Sequence, residues 1–342
     1  MSPARARLRV GACLSLSGQF ARFGTQAAHA LHTWTEWHGN VDLIIEDDRS
    51  TQHGLETTLP DVAARSDLLL GPYSTMLARR AAQLAAQEDW LVWNHGGSGD
   101  DIETDYPGHV VSILTPTSRY AYPYLDYLAT LDSPDDIPLW IVAGPGSFAR
   151  HITDGTRTYA AQQEIPVKVV TAEQFRDRDT TPPDGSWALL AVGRFEDDID
   201  TVRHAHTLTG QPVAVCAVAA GVYEFAEHID DPNGFFGIAQ WFPGNTGQPE
   251  LGPNETEFLR AYAATSGTTP DYPAIQAVAG AVIAHHCTTH TGTNRAALWA
   301  AATELDTSTL FGGFGIDSTT GAQDCHATAL VRWQDDQPHR HE

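Results

Sequence analysis

Short runs of apolar residues alternate with longer stretches in which apolar positions repeat at helical spacing. The apolar runs predict strands at 8–16, 42–47, 68–70, 91–93, 110–113, 139–143, 167–171, 187–192, 213–216, 235–239 and 328–333. The amphipathic stretches predict helices at 25–37, 76–88, 120–131, 148–163, 198–208, 255–265, 274–290 and 296–305. In the first of these helices Ala27, Leu31 and Trp34 fall on one face, at positions i, i+4 and i+7.

The alternation predicts an α/β fold. Apolar strands joined by helices indicate parallel sheets that are covered on both faces. Such sheets bind ligands beyond the carboxyl ends of their strands, where the helices begin. Residues 243–253, which are rich in Gly, Pro, Asn and Gln, are the best linker candidate, and residues 115–118 are the next. The polar end of the chain, with His339 and His341, predicts a disordered tail.

The composition restricts the partners. The 342 residues carry 43 acidic and 20 basic side chains, which gives a formal net charge of −23. So acidic a chain lacks the basic face that nucleic acid or an anionic membrane requires, and we expect no direct nucleic-acid partner. No apolar run approaches the roughly 18 residues that cross a bilayer. The hydrophobic content of 42% is sufficient for folded cores.

The amino terminus predicts a cytoplasmic protein. The first seven residues lead into a strand without the apolar segment and cleavage site of an export signal. A periplasmic or extracellular location remains open if an export segment precedes Met1. The four cysteines, at 13, 216, 287 and 325, are far apart in the chain, which favours reduced thiols over disulfides.

Several short motifs occur in one order along nearly the whole chain. They are 14–24 (LSLSGQFARFG), 46–48 (EDD), 70–75 (LGPYST), 93–98 (WNHGGS), 234–237 (GFFG), 270–279 (PDYPAIQAVA) and the glycines of 314–321 before 331–333 (VRW). In this order and spacing the chain resembles the type I periplasmic binding proteins, and in particular the solute receptors for branched-chain amino acids and amides.

The resemblance implies two Rossmann-like lobes with parallel sheets, joined by three crossovers. Lobe one would comprise residues 1–117 and 246–318, and lobe two residues 118–245 and 319–342. It also implies closure of the lobes by hinge motion on one small polar ligand. The two linker candidates lie close to the first two of these boundaries.

The candidate ligand-binding residues of lobe one lie in three loops that follow strands. Ser17 ends the first, Tyr73, Ser74 and Thr75 form the second, and Asn94, Gly96 and Ser98 belong to the third. Hydroxyl groups and free amides at the start of a helix suit a carboxylate or carbonyl oxygen. The resemblance assigns that role to Ser74 or Thr75 together with Ser98. The alternative is that these hydroxyls only cap helices or loops.

The remaining candidates are an acid position and aromatic walls. The family usually binds an α-ammonium group with an acid that falls here at Ala220, while Glu224 lies one helical turn further on. Because a buried ammonium group without a carboxylate is costly, an amide, a carboxylate or another ligand without an ammonium group is favoured over a standard amino acid. Phe148, Trp241 and Tyr272 stand at plausible wall positions, together with Tyr73.

Two other classes of function have weaker signals. Residues 95–99 (HGGSG) resemble an oxyanion-hole sequence of α/β hydrolases, but the G-x-S-x-G elbow is missing from the sequence. His286 and His290 have a spacing that can hold zinc, but no third ligand is placed and surface histidines are the better interpretation. We therefore predict no catalytic residues, no metal and no cofactor.

The predicted function is that of a solute receptor for ABC-type uptake with an ABC permease as its partner. Its ligand would be an amino acid, an amide or a small carboxylate. The alternative is a cytoplasmic sensor of the same fold that regulates a partner protein.

Overall fold

The computed structural model describes residues 7–132, 136–177, 182, 185–244 and 246–341. The strands are β1 (Leu8–Leu14), β2 (Val41–Asp47), β3 (Leu68–Leu70), β4 (Val92–Asn94), β5 (Val110–Ser112), β6 (Leu139–Ala143), β7 (Val167–Thr171), β8 (Ala188–Val192), β9 (Ala214–Ala217), β10 (Phe236–Ala239), β11 (Thr307–Thr309), β12 (Gly312–Phe314), β13 (Ala329–Gln334) and β14 (Gln337–Arg340). The helices are α1 (Ala21–His38), α2 (Gln52–Arg65), α3 (Thr75–Glu88), α4 (Asp101–Thr104), α5 (Tyr122–Ala129), α6 (Ser147–Gln162), α7 (Ala172–Arg176), α8 (Phe195–Ala205), α9 (Glu255–Ser266), α10 (Tyr272–Thr291) and α11 (Arg295–Thr303). None of the described helices is long and apolar enough to cross a membrane.

The chain divides into two compact units. Unit 1 comprises Met1–Thr115 and Thr246–His326, and unit 2 comprises Pro116–Asn245 and Ala327–Glu342. The third boundary therefore falls after residue 326, not after residue 318 as the resemblance implied. The physical reason is that this segment hydrogen-bonds within unit 1, since Nε2 of Gln323 donates to the carbonyl of Ile113 at 3.0 Å.

Unit 1 is built on a five-stranded parallel sheet with the order β2-β1-β3-β4-β5. Leu55 and Leu59 of α2 and Leu77 of α3 pack with Cys13 and Leu69 of the strands in one buried cluster. Helices α1 and α10 pack against each other and against the sheet. After β2 the chain crosses to the other side of β1 to form β3. This reversal opens a crevice at the carboxyl ends of β1 and β3, the usual position of a ligand in such sheets.

Unit 2 contains a seven-stranded sheet with the order β14-β13-β10-β9-β8-β6-β7. Strands β6 to β10 are parallel, whereas β13 and β14 run antiparallel to their neighbours. Neighbouring residues of β6 face opposite clusters, because Ile141 packs with Tyr124 and Trp140 packs with Trp187. Both faces of the sheet are therefore covered, as the apolar strands predict.

Six elements were not predicted from the sequence, namely α2, α4, α7, β11, β12 and β14, and two of them show why. Helix α2 contains Pro60, which weakens a helical pattern, but its Leu55, Leu59 and Val62 are fully buried. Packing of this face outweighs the proline. The carboxyl-terminal residues form β14, in which His339 pairs with Arg332 of β13. The predicted disordered tail was wrong here, because an antiparallel partner satisfies the backbone of a polar segment as well as that of an apolar one.

Candidate functional site

The turn between β3 and α3 is held in a strained conformation at Ser74. Its φ is +82°, and its side-chain oxygen accepts a hydrogen bond from the amide of Leu77 at 3.4 Å, so that Ser74 is the N-cap of α3. Its own amide donates to the carbonyl of Gly96 at 2.9 Å. Ser74 therefore joins the loops that follow β3 and β4, as well as starting a helix whose free amides favour an anionic or carbonyl oxygen.

Asn94 organises the loop after β4 from inside the protein. Its Oδ1 accepts from the amide of Gly97 at 2.9 Å, and its Nδ2 donates to the carbonyl of Gly97 at 2.6 Å and to Oγ of Ser112 at 2.7 Å. Asn94 is 1% exposed. Its amide group is thus committed to the loop, which makes it a positioning residue.

The glycines of this loop permit close packing within unit 1. A Cβ atom on Gly96 would lie 2.5 Å from the carbonyl oxygen of Pro72, and one on Gly97 would lie 2.2 Å from Cβ of Ala78. A Cβ on Gly99 would lie 2.5 Å from Cγ2 of Thr75. These residues are glycine because the two loops touch. The close approach of a ligand is not required to explain them.

Thr75 and Ser98 are brought together by this packing. Thr75 is the first residue of α3, and the loop that carries Ser98 touches it through Gly99. Ser98 is 7% exposed. The two hydroxyls that the resemblance assigned to a ligand oxygen therefore belong to adjacent loops of one unit.

An aromatic cluster stands beside the start of α3. The hydroxyls of Tyr73 and Tyr272 are hydrogen-bonded to each other, and the ring of Phe23 stacks on Tyr73 with centroids 4.4 Å apart and an interplanar angle of 19°. Phe20 is tilted against Tyr73 at 6.0 Å. The cluster joins the β3–α3 turn, the first turn of α1 and the first turn of α10. An apolar wall thus lies next to a helix amino terminus.

The side chain of Ser17 is hydrogen-bonded to Asp47, the last residue of β2. Its hydroxyl donates to Oδ2 of Asp47 at 2.6 Å, and the amides of Leu16, Ser17 and Arg49 donate to Oδ1. Partial burial alone would raise the pKa of Asp47, but these four hydrogen bonds outweigh it, so the pKa is lowered. The structure gives Ser17 a role in holding the end of β1 to the end of β2.

The other candidates lie in unit 2. The ring of Phe148, at the start of α6, packs edge-on against Tyr120 at 5.6 Å. Ala220 is fully buried, and its carbonyl accepts a hydrogen bond from the indole of Trp333 at 2.8 Å. The ring of Trp241 is buried, with 1% of its surface exposed. Glu224 lies beside His228, because one of its carboxylate oxygens is 3.8 Å from Nε2 of that imidazole. Ala220 therefore contributes core packing, and its position carries no acid.

Unit 2 also contains a cavity of about 370 Å³ at the carboxyl ends of β6, β7 and β8. Its walls include Glu173, Asp197 and Asp198. Burial raises the pKa of Asp198 to about 7, although its carboxylate accepts a hydrogen bond from the amide of Ala219 at 3.0 Å. None of the candidate site residues lines this cavity.

Three side chains near the loops of unit 1 were missed as site residues. Phe23 stacks on Tyr73, His95 follows Asn94, and Gln276 lies one turn after Tyr272 in α10. A signal for Gln276 was present, because it is the one polar side chain in the segment 273–284 of α10. His95 is 1% exposed, and desolvation on burial lowers its pKa to about 4. Its imidazole is thus neutral near pH 7.

His286 and His290 of α10 were the candidate zinc ligands in the sequence. The rings of His286 and His290 are 5.0 Å apart. In the parts of the chain that the structure describes, no group of three or more His, Cys, Asp or Glu side chains is arranged to hold a metal ion. Cys13, Cys216, Cys287 and Cys325 are free thiols.

Comparison with solved structures defines the class of fold. The chain has the type I periplasmic binding protein fold, which it shares with ABC-transporter solute-binding proteins of the leucine, isoleucine and valine type. No protein-family model matches the sequence, and no curated protein matches it. The resemblance found in the sequence is thereby confirmed at the level of the fold.

Three of the similar structures cover nearly the whole chain. A solute-binding protein of an ABC transporter from Rhodopseudomonas palustris BisB5, in complex with 3,4-dihydroxybenzoic acid, has a TM-score of 0.80 at 15% identity over 98% of this chain and 96% of its own. The leucine-binding protein LivK from Thermotoga maritima MSB8 has a TM-score of 0.80 at 11% sequence identity, and the match covers 98% of each chain. LivJ from Streptococcus pneumoniae, in complex with isoleucine, has a TM-score of 0.77 at 11% sequence identity, and the match covers 97% of each chain. These neighbours are binding proteins rather than enzymes.

Proposed function

We propose that the chain is a non-enzymatic solute-binding protein for one small polar ligand with an apolar or aromatic body. The observation that carries the proposal is the position of the Tyr73–Tyr272 pair beside the amino terminus of α3. The rings offer stacking surface, while the helix amides, Thr75 and Ser98 suit the oxygen atoms of a carboxylate or an amide.

A ligand without an α-ammonium group fits this chain better than a standard amino acid. The acid position of the family is occupied by Ala220, which is buried. The nearest carboxylate along the chain, Glu224, lies beside His228. Small aromatic acids and amides therefore lead the list of ligands, and the neighbour that binds 3,4-dihydroxybenzoic acid supports this class.

The test is a thermal-shift screen followed by calorimetry. The panel comprises leucine, isoleucine, benzoate, 3,4-dihydroxybenzoate and benzamide. A ligand present at about 100 times its Kd stabilises the folded state by about 2.7 kcal/mol, which raises the midpoint of unfolding by several degrees. We expect a shift with the aromatic acids or the amide. If no compound shifts the midpoint, the proposal is wrong.

The binding residues are tested with a matched pair of variants. Tyr73→Ala removes a ring from the aromatic cluster, and we expect it to weaken binding at least about tenfold, because a buried aromatic contact contributes a kcal/mol or more. Trp37→Ala is the control, since this exposed ring lies at the other end of α1, about 20 Å from Phe23. Ser98→Ala tests the polar end, and an unchanged Kd would contradict the assignment of Ser98.

Transport, location and hinge closure are further parts of the proposal. We expect the partner to be an ABC permease, and the alternative partner is a regulatory protein in the cytoplasm. Fractionation of the native host separates the two, because recovery only from the soluble cytoplasm would contradict a transport role. A decrease in the radius of gyration in small-angle scattering on ligand addition would support hinge closure.

A further inference from the structure

Two side chains that are buried next to the candidate site have polar atoms without a hydrogen bond. The amide nitrogen Nε2 and oxygen Oε1 of Gln276, and Nε2 of His95, have no hydrogen-bond partner among the described residues. Each residue is 1% exposed. Buried amide and imidazole groups in folded proteins almost always have a partner, because removing them from water without one costs free energy. The two groups therefore call for an explanation beyond packing.

The fold places Gln276 and His95 on one path that starts at Tyr272. Positions 272, 276 and 280 are four residues apart in α10 and so lie on one face of the helix. At the far end of this path, a Cβ atom on Gly280 would lie 3.5 Å from Cβ of His95. Gln276 thus lies one turn from the Tyr73–Tyr272 pair and one turn from the residue that touches His95.

The chemistry of the pair is that of an uncharged donor and acceptor. The carboxamide of Gln276 supplies two N–H donors and one carbonyl acceptor. The imidazole of His95 is neutral, and its side chain hydrogen-bonds the backbone of Gly71, which raises the pKa and so makes the other ring nitrogen the donor. The unpartnered Nε2 of the neutral ring is therefore an acceptor. Neither side chain carries a charge that would offset a buried ion. A hydroxyl or carboxamide group can pair with them without a charge, whereas a carboxylate or an ammonium group would bury a charge that neither side chain offsets.

We propose that Gln276 and His95 form a polar subsite of unit 1 that hydrogen-bonds a hydroxyl or carboxamide group of the bound solute. This inference rests on the proposed function and adds a ligand determinant to it. The oxygen end of the solute lies at the amino terminus of α3, and the uncharged polar group reaches past the aromatic cluster to Gln276.

Gln276→Leu tests the subsite because it keeps the volume and removes the unpaired atoms. The probes are benzoate, which has no second polar group, and 3,4-dihydroxybenzoate and 4-carbamoylbenzoate, which do. We expect the variant to weaken binding of the second and third probes by about tenfold or more and to leave the Kd of benzoate within about twofold. Without ligand, its midpoint of unfolding should be equal to that of the wild type or higher.

Gln323→Leu is the matched control for burial. Gln323 is a fully buried glutamine of the same unit, but its Nε2 donates to Ile113 and its Oε1 accepts from the amide of Cys325 at 2.9 Å. We expect this variant to lower the midpoint of unfolding, because it leaves paired groups without partners. His95→Leu should repeat the loss of discrimination seen with Gln276→Leu.

The outcomes separate the subsite from the proposed function. If the wild type binds none of the three probes in this experiment and none of the solute panel, the proposed function is wrong and this inference with it. If the wild type binds probes but Gln276→Leu and His95→Leu leave their relative affinities unchanged, the subsite alone is wrong. A fall in the midpoint of ligand-free Gln276→Leu equal to that of Gln323→Leu would show that solvent or protein already pairs Gln276, which also overturns the subsite.

Discussion

The hydroxyl of Tyr73 is hydrogen-bonded to the hydroxyl of Tyr272, 199 residues further along the chain. The first follows β3, and the second lies in the first turn of α10. The bond therefore fixes two separate segments of unit 1 against each other at the carboxyl edge of the sheet. Asp271, which caps α10, adds a second tie to this edge, because its backbone amide donates a hydrogen bond to Oε1 of Gln26 in α1 at 2.8 Å.

The tyrosine pair should behave as one unit in a double-mutant cycle. Tyr73→Phe and Tyr272→Phe each remove one hydroxyl of the shared hydrogen bond, and each should lower the free energy of unfolding by about 1 kcal/mol. The double variant should lose clearly less than the sum of the two, because the bond is absent already in each single variant. Urea denaturation measures the three differences, and strict additivity would show that the hydroxyls do not depend on each other.

The contact between the β4 loop and α3 should not tolerate a methyl group. Gly97→Ala places a Cβ atom 2.2 Å from Cβ of Ala78, and the overlap should cost about 1–3 kcal/mol of unfolding free energy. Gly247→Ala is the control, because no atom lies within 4 Å of a Cβ at that position. The two variants are compared by chemical denaturation. Equal stability of both would mean that the loop does not pack on α3.

Glu103 should make the stability of the protein dependent on pH. It is 3% exposed, and its carboxyl group hydrogen-bonds Ser112 and Asn94, the latter at 3.3 Å. Desolvation on burial raises its pKa from 4.5 to about 8. The folded state therefore holds this proton more tightly than the unfolded chain does. Its contribution to stability is complete below pH 4.5 and is lost as the pH rises towards 8.

Glu103→Gln isolates this contribution. The variant has a neutral amide in place of the carboxyl group, so it has no proton to lose at this position between pH 5 and 8. The pH-dependent loss of stability that Glu103 causes should therefore be absent from the variant. The difference in unfolding free energy between variant and wild type should grow in favour of the variant, by at most about 1.4 kcal/mol per pH unit, and level off above pH 8. Denaturation at a series of pH values measures it. A constant difference would mean that Glu103 is ionised throughout.

Ser17→Ala should affect stability rather than ligand affinity. The variant removes the hydroxyl that donates to Asp47 at 2.6 Å, and because the pair is exposed we expect a loss of about 1 kcal/mol at pH 7. The pKa of Asp47 is lowered in the folded state, so its contribution is present at neutral pH and lost as the pH falls through that pKa. The loss should therefore shrink in acid. A large change in Kd with unchanged stability would return Ser17 to the binding residues.

The sequence determined the elements and their class. Strands at 68–70 and 139–143 were predicted with the bounds that β3 and β6 have, because a buried parallel strand needs an apolar run that helices then flank. The strand at 167–171 was also predicted with the bounds of β7, although β7 lies at the edge of its sheet and only Val170 in it is buried. The different motifs that occur in a fixed order along the chain led to the right fold class. Helix α2 was missed, since local propensity at Pro60 opposes a helix that only packing against the sheet stabilises.

The tertiary structure decided which polar groups are free for a ligand. Ser17 and Asn94 look like binding residues in the sequence, but both side chains are hydrogen-bonded within the protein. Ser17 donates to Asp47 at the end of a neighbouring strand, and Asn94 accepts from Gly97 in the loop after β4. No local sequence pattern encodes either bond. Gln276 is visible in the sequence as the one polar residue of an apolar helical segment, but only the tertiary structure shows that its buried carboxamide lacks a partner among the described residues. Strand and helix patterns depend on local spacing, whereas the pairing of buried polar atoms depends on which distant segments the fold brings together.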